Sequence, residues 1–196
     1  MKKFDIKEIL VPTISLFLIC TVVTLLLAVT NSVTAPKIEQ LQIETANKTK
    51  AEVLSVAKSF SEEKTIEHNG VSYTYYEGYD DSKNIVGYVF TTSAKGYGGD
   101  ISTMVGVKTD GTVAGMDFLS ISETAGLGMK AEEVLKPQFA NKQVASFSYT
   151  KSGAAMDSEI DAISGATITT DAVVTAVNGG LYYFQMQLGG SGNETK

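Results

Sequence analysis

Apolar and polar positions change rhythm sharply along this chain. From Ile9 to Thr30 the run ILVPTISLFLICTVVTLLLAVT carries no charge. A helix needs about 20 apolar residues to cross the hydrocarbon of a bilayer, and this run meets that length. Pro12 lies near its start, where a helix tolerates proline best. A cleaved signal peptide would have an apolar stretch of only about 7–15 residues. Val33-Thr34-Ala35 is also followed by Pro36, a poor place to cleave. The run therefore reads as an uncleaved anchor. Beyond Pro36 the chain turns polar, with Ile38, Leu41, Val53 and Val56 at helical spacing, which predicts one helix or two leading away from the anchor.

The rhythm then shortens to that of strands. Residues 71–79 and 85–92 are rich in β-branched and tyrosyl side chains, with a turn signal at His68-Asn69-Gly70 before them and Asp80-Asp81-Ser82 between. Residues 101–108 and 112–119 flank Thr109-Asp110-Gly111, a hairpin cue. A short helix interrupted at Pro137 is expected over 130–138, and one more strand over 144–149. After Thr169-Thr170-Asp171, which read as cap residues, Val173, Val177, Leu181, Phe184 and Leu188 make the apolar stripe of an amphipathic helix. The expected fold class is α+β: one N-terminal transmembrane helix, then an outer domain with an antiparallel sheet and flanking helices. The expected boundaries are an N-terminal segment 1–8, a span 9–31, a membrane-proximal helical linker 32–60, an outer domain 61–188 and a flexible tail 189–196.

Composition narrows the function classes. Of 196 residues, 43% are apolar, which excludes a wholly disordered chain, and the net charge of −6 argues against binding nucleic acid. Every basic residue is lysine, so any anion site must do without the guanidinium fork. One cysteine, Cys20, and one histidine, His68, exclude an internal disulfide, a cysteine-ligated cluster and a Cys/His zinc site. Cys20 falls mid-span as a small apolar side chain. Lys2, Lys3 and Lys7 precede the anchor while only Lys37 follows closely, which places the N-terminus in the cytoplasm and the rest outside.

Small residues crowd in four stretches. Asp161-Ala-Ile-Ser164-Gly165-Ala166-Thr167 precedes the last helix, where free N–H groups and the helix dipole favour an anion, although Ser and Thr also sit before helices simply as caps. Gly96-Tyr97-Gly98-Gly99 is a turn that lets backbone approach closely, or a flexible loop; its spacing matches neither a dinucleotide fingerprint nor a P-loop. Glu123-Thr124-Ala125-Gly126-Leu127-Gly128 is a second such turn, and Asn31 to Ile38 lies at the membrane exit.

Together these four stretches resemble the FMN-binding subunits of ion-translocating membrane oxidoreductases: the G subunit of the Rnf complex and the related C subunit of the Na⁺-pumping NADH:quinone oxidoreductase. That family joins FMN by a phosphoester to threonine within a pattern of Asp, two variable residues, Ser or Thr, then Gly-Ala-Thr. Asp161, Ser164, Gly165, Ala166 and Thr167 match it position by position, which implies Thr167 as the acceptor. The resemblance also implies cofactor contacts from Tyr97, Gly98, Glu123, Thr124, Leu127, Gly128 and Lys130. Ala125 stands where proline is usual. The resemblance covers nearly the whole chain, and its length is nearer the Rnf G subunit. It implies an electron-transfer subunit in the inner (plasma) membrane, with no independent turnover of its own. Its partners would be redox subunits with flavin and iron–sulfur centres, and a flavin transferase using FAD and Mg²⁺ for maturation.

Other classes stay open at this level. The same covalent FMN could serve a membrane-anchored carrier outside any pump. A hydrolase would pair Ser164 with His68, but no Gly-x-Ser-x-Gly elbow is present. An anchored binding module is the blandest alternative. Tyr73, Tyr75, Tyr76 and Tyr79 read as strand packing, and His68 as a loop residue.

Overall fold

The computed structural model describes residues 6–68 and 71–188. The expected turn at 68–70 therefore falls largely outside the described residues, as does the tail 189–196. The chain divides after Glu44 into two compact units.

In the first unit, helix α1 (Ile6–Val53) begins, and it is long and apolar enough to cross a membrane. Phe17, Leu27 and Val33 are among the large apolar side chains exposed around it, as expected of a helix whose solvent is lipid. The hydroxyls of Thr13, Ser15, Thr21 and Thr30 donate to the carbonyls of Ile9, Val11, Phe17 and Leu26, each 2.8 or 2.9 Å away. Each polar group is thus satisfied within the helix, which hydrocarbon requires. The helix runs on unbroken through the expected membrane exit at Asn31–Ile38, and Pro36, like Pro12, lies inside it. A proline removes one ladder hydrogen bond, and the neighbouring turns carry the helix past it.

The second unit is an antiparallel sheet covered on both faces. Strands β1 (Ser59–Phe60) and β2 (Lys64–His68) both pair with β3 (Val71–Tyr79), followed in order by β4 (Ile85–Lys95), β5 (Asp100–Lys108) and β6 (Val113–Ser120). The β5–β6 connection is the hairpin expected from Asp110-Gly111: Gly111 has φ +85°, and Asp110 Oδ1 accepts the Thr112 N–H at 2.8 Å. Side chains alternate between the faces. Phe90, Val105 and Met116 join the core under α3 (Thr167–Tyr183), while Val89 and Met104 meet Val53, Leu54 and Ala57 at the end of α1. The stripe Val173, Val177, Leu181 and Phe184 is buried in the first of these cores.

Three expectations are corrected. Helix α3 starts at Thr167, not after Asp171. Thr169 and Thr170 are buried within it, and Thr170 Oγ1 accepts the Ile163 N–H and donates to the Ala166 carbonyl, tying the preceding turn to the helix. The strand expected over 144–149 shrinks to β7 (Ser148–Thr150), which pairs in parallel with β8 (Glu159–Asp161). Just before it, the Asn178 side-chain amide satisfies both the N–H and the carbonyl of Phe147 (2.7 and 2.8 Å), so no strand partner is needed there. The helix expected over 130–138 is three short turns: a 3₁₀ turn at Gly128–Lys130, α2 (Ala131–Val134) and a 3₁₀ turn at Lys136–Phe139.

Candidate functional site

Three segments converge at one end of the sheet. The turn between β4 and β5 closes with Gly96 N–H donating to the Gly99 carbonyl at 2.8 Å. The segment after β6 folds on itself, with Leu127 and Met129 N–H groups both donating to the Thr124 carbonyl. The third is the first turn of α3. Glu123 joins the first two: one carboxylate oxygen accepts the Tyr97 N–H at 2.7 Å and the other the Gly98 N–H at 3.2 Å. Such charge-assisted bonds to two successive backbone N–H groups fix the turn against the loop. Glycine at 128 is required by the fit, since a Cβ there would lie 2.8 Å from both Glu123 Cβ and Thr169 Oγ1.

Between these segments lies a cleft of about 570 Å³. Tyr97, Glu123, Thr124, Leu127 and Gly128 form one side, and Gly165, Ala166, Thr167, Ile168 and Thr169 the other. Tyr97 is 72% exposed, Ile168 55% and Leu127 43%, so the walls present apolar surface that nothing among the described residues covers. The volume falls within the roughly 300–1,000 Å³ usual for cofactor sites.

Helix α3 opens into this cleft without a side-chain cap. Its N-cap is Ala166, and no hydroxyl bonds back to the first turn. The leading N–H groups of a helix have no acceptor inside it, so those of the first turn remain available to an anion. Capping, the plain explanation for Ser164 and Thr167, is not what they do here. Gly165, with φ +79°, turns the chain into the helix beside Leu127.

Most of the residues singled out from the sequence meet in this cleft; four do not line it. Gly98 contributes its N–H to Glu123 instead. Ser164 lines a smaller adjoining cavity, with Lys151, Gly165 and Thr167. Lys130 is exposed at the end of its 3₁₀ turn. Asp161 accepts the Ala154 N–H at 2.6 Å through its carboxylate, while its backbone N–H and carbonyl meet the Gln138 side chain. Ile168 and Thr169 were missed as lining residues, although they directly follow the motif. Lys151 was also missed, because only the β7–β8 pairing brings it beside Ser164. The hydrolase alternative depends on His68, whose side chain lies outside the described residues.

Comparison with known proteins places this geometry. The FMN-binding domain family matches residues 96–182, the stretch that contains all three converging segments. The G subunit of the ion-translocating oxidoreductase complex of Methanosarcina acetivorans is 35% identical over 191 residues, covering 94% of this chain and 99% of that protein. The G subunit of the Na⁺-translocating ferredoxin:NAD⁺ oxidoreductase complex of Acetobacterium woodii is 33% identical, covering 93% and 95%. In fold, the chain is similar to the crystal structure of the C subunit of the Na⁺-translocating NADH-quinone reductase from Parabacteroides distasonis. The TM-score is 0.58 at 20% identity, covering 74% of this chain and 92% of that one.

Proposed function

Because the chain belongs to the family of G subunits of ion-translocating oxidoreductase complexes, we propose that it is the membrane-anchored, FMN-carrying electron relay of an Rnf-type ferredoxin:NAD⁺ complex, with FMN held by a phosphoester to Thr167. The observation that carries this is the position of Thr167: the first residue of an uncapped helix, on the wall of a cleft inside the matched FMN-binding region. A ring with two apolar faces suits walls made by Tyr97, Leu127 and Ile168, and a phosphate suits the free N–H groups beside Thr167. The residues fit the group.

When bound, FMN supplies reversible electron transfer, and the protein sets its exposure and surroundings. Thr167 Oγ is the acceptor oxygen in maturation: it bonds to the flavin-side phosphorus of FAD, the pyrophosphate bond breaks, and AMP leaves. The hydroxyl proton passes to a base of the flavin transferase, since an unassisted threonine is a weak nucleophile. Glu123 holds the Tyr97 turn against the Thr124–Gly128 loop and so keeps the cleft shaped. Ala166, Gly165 and Ser164 present Thr167 without bulk around it, leaving room for the transferase.

Anchorage by α1 over about 9–31 puts the linker 32–60 and the domain 61–188 outside the cytoplasm, by the lysine bias around the span. Covalent attachment there prevents loss of the cofactor. FMN held here would exchange electrons with flavin or iron–sulfur centres of neighbouring subunits, and the cleft residues would set its exposure to them. The test is in-gel flavin fluorescence after denaturing electrophoresis, with and without a co-expressed transferase. The wild-type band is fluorescent only with the transferase, and Thr167→Ala abolishes it. A dark wild-type band beside an active transferase would end the covalent proposal.

A further inference from the structure

Thr167 borders two cavities, not one. Beside the large cleft lies a cavity of about 150 Å³, lined by Lys151, Ala162, Ile163, Ser164, Gly165 and Thr167. Gly165 and Thr167 belong to both walls. The larger space is mainly apolar, and the one charged side chain on its wall is the carboxylate of Glu123; the smaller has the Ser164 hydroxyl and a lysine. Given FMN attached at Thr167 as proposed above, we infer that the smaller cavity is the phosphate side of the site, and that Lys151 is the charge partner of the phosphodiester.

The need for such a partner follows from the chemistry. A phosphodiester keeps one negative charge at any physiological pH, and this chain has no arginine to meet it. Among the described residues Lys151 has no ion-pair or hydrogen-bond partner of its own, so its ammonium is uncommitted. The backbone around it is fastened on both sides. Thr150 lies in β7, and its carbonyl accepts the Ala162 N–H at 2.8 Å. Ser152 N–H bonds to Thr150 Oγ1 at 3.3 Å. Further along, Ala154 and Ala155 N–H groups are gripped by the carboxylates of Asp161 and Glu159, at 2.6 and 2.9 Å.

This also gives Asp161 a role. It stands outside both cavities, and its carboxylate restrains the loop that carries Lys151. Asp161 is a positioning residue six places before the acceptor threonine, acting through the loop and not on the cofactor.

The experiment compares melting temperatures of the full-length protein in detergent, with and without FMN attached, for wild type, Lys151→Met and Lys151→Arg. Attachment is verified by in-gel fluorescence. Lys151→Met lowers the melting temperature of the flavin-bearing protein by about 2 °C, the scale of one partly exposed ion pair in a chain of this size, and leaves the flavin-free protein unchanged. Lys151→Arg restores the wild-type value. The ³¹P resonance of the phosphodiester shifts in Lys151→Met and not in Lys151→Arg. An equal fall with and without flavin would make Lys151 merely structural and overturn the inference, as would no change in either melting or ³¹P shift. A wild-type chain without covalent fluorescence would instead overturn attachment at Thr167, and this inference with it.

Discussion

Glycine is used in opposite ways in two regions of this domain. On the sheet, Gly78 pairs with Gly87 and Gly106 with Gly115, one glycine on each of β3 to β6. Together they form a trough that the chain fills itself. A Cβ at Gly106 would lie 2.1 Å from the Val53 carbonyl oxygen, and the trough around Gly78 and Gly87 receives Leu54. At the cleft, Gly128 and Gly165 shape walls around a space that no side chain among the described residues fills. In the first region missing side chains let secondary structures touch; in the second they let loops fold tightly about a volume reserved for something else. A glycine cluster therefore does not mark a ligand site by itself. What fills the space decides, and the cleft leaves apolar surface such as Ile168 and Tyr97 open beside it.

The largest expected effect tests the filled trough. Gly106→Val places a side chain on the Val53 backbone, which cannot retreat as a flexible side chain would. Overpacking of this kind costs about 3 kcal/mol, and the melting temperature falls by about 6–12 °C. Thermal circular dichroism measures the loss, while the in-gel fluorescence expected from the proposed attachment at Thr167 stays at the wild-type level. Loss of flavin attachment well below the melting temperature would show the two regions to be coupled.

A smaller effect belongs to the cleft. Gly128→Ala brings a methyl against Glu123 and Thr169 Oγ1, costing about 1–2 kcal/mol because the loop can shift part of the way. With FMN attached at Thr167 as proposed, the displaced loop moves Leu127, so the flavin absorption band changes while attachment persists. Gly106→Val shows the reverse pattern, with a large stability loss and an unchanged flavin spectrum. If both variants altered the spectrum alike, the division between trough and cleft would fail.

The difference between the regions also explains what could be read in the sequence. Strand β3 was legible at its observed bounds because Val, Tyr and Thr crowd there between turn signals. The Val173–Leu181 stripe was legible from its period, while the glycine-rich stretches pointed to a cofactor only through the family resemblance that they carry together. The trough was not legible. Its glycines stand one per strand, and only the strand register pairs Gly78 with Gly87 and Gly106 with Gly115 and sets the two pairs diagonally, two residues apart. The start of α3 was misplaced because Thr169 and Thr170 have the chemistry of caps, yet the Thr170 hydroxyl bonds to Ile163, a contact set by the turn before the helix. Lys151 was hidden for a related reason: three-residue strands in a parallel pair carry too little pattern to announce a pairing.

The smallest effect separates the two faces of the sheet by pH. On the α1 face the Lys50 ammonium sits 4.1 Å from the centre of the Tyr76 ring, and the Tyr76 hydroxyl donates to Glu63 at 2.9 Å. Burial first, then the bond to Glu63 and its charge, push the Tyr76 phenol up to about 12. An unfolded tyrosine titrates near 10. The folded state therefore binds the phenolic proton more tightly, so this stabilisation is full below about pH 10 and is lost as pH rises toward about 12. Burial lowers Lys50, with Glu63 opposing, and a base lowered by folding favours the folded state more as pH rises, so Lys50 offsets part of that loss. On the opposite face burial also raises Tyr183, so the whole domain weakens in alkali. Tyr76→Phe removes only the α1-face share. Because the ring is half-exposed and solvent screens its charge, that share is about 1 kcal/mol. The unfolding free energy of Tyr76→Phe, compared between about pH 8 and about pH 11, should fall by about 1 kcal/mol less than that of wild type. Equal losses would place the alkaline sensitivity under α3 and leave the end of α1 held by shape alone.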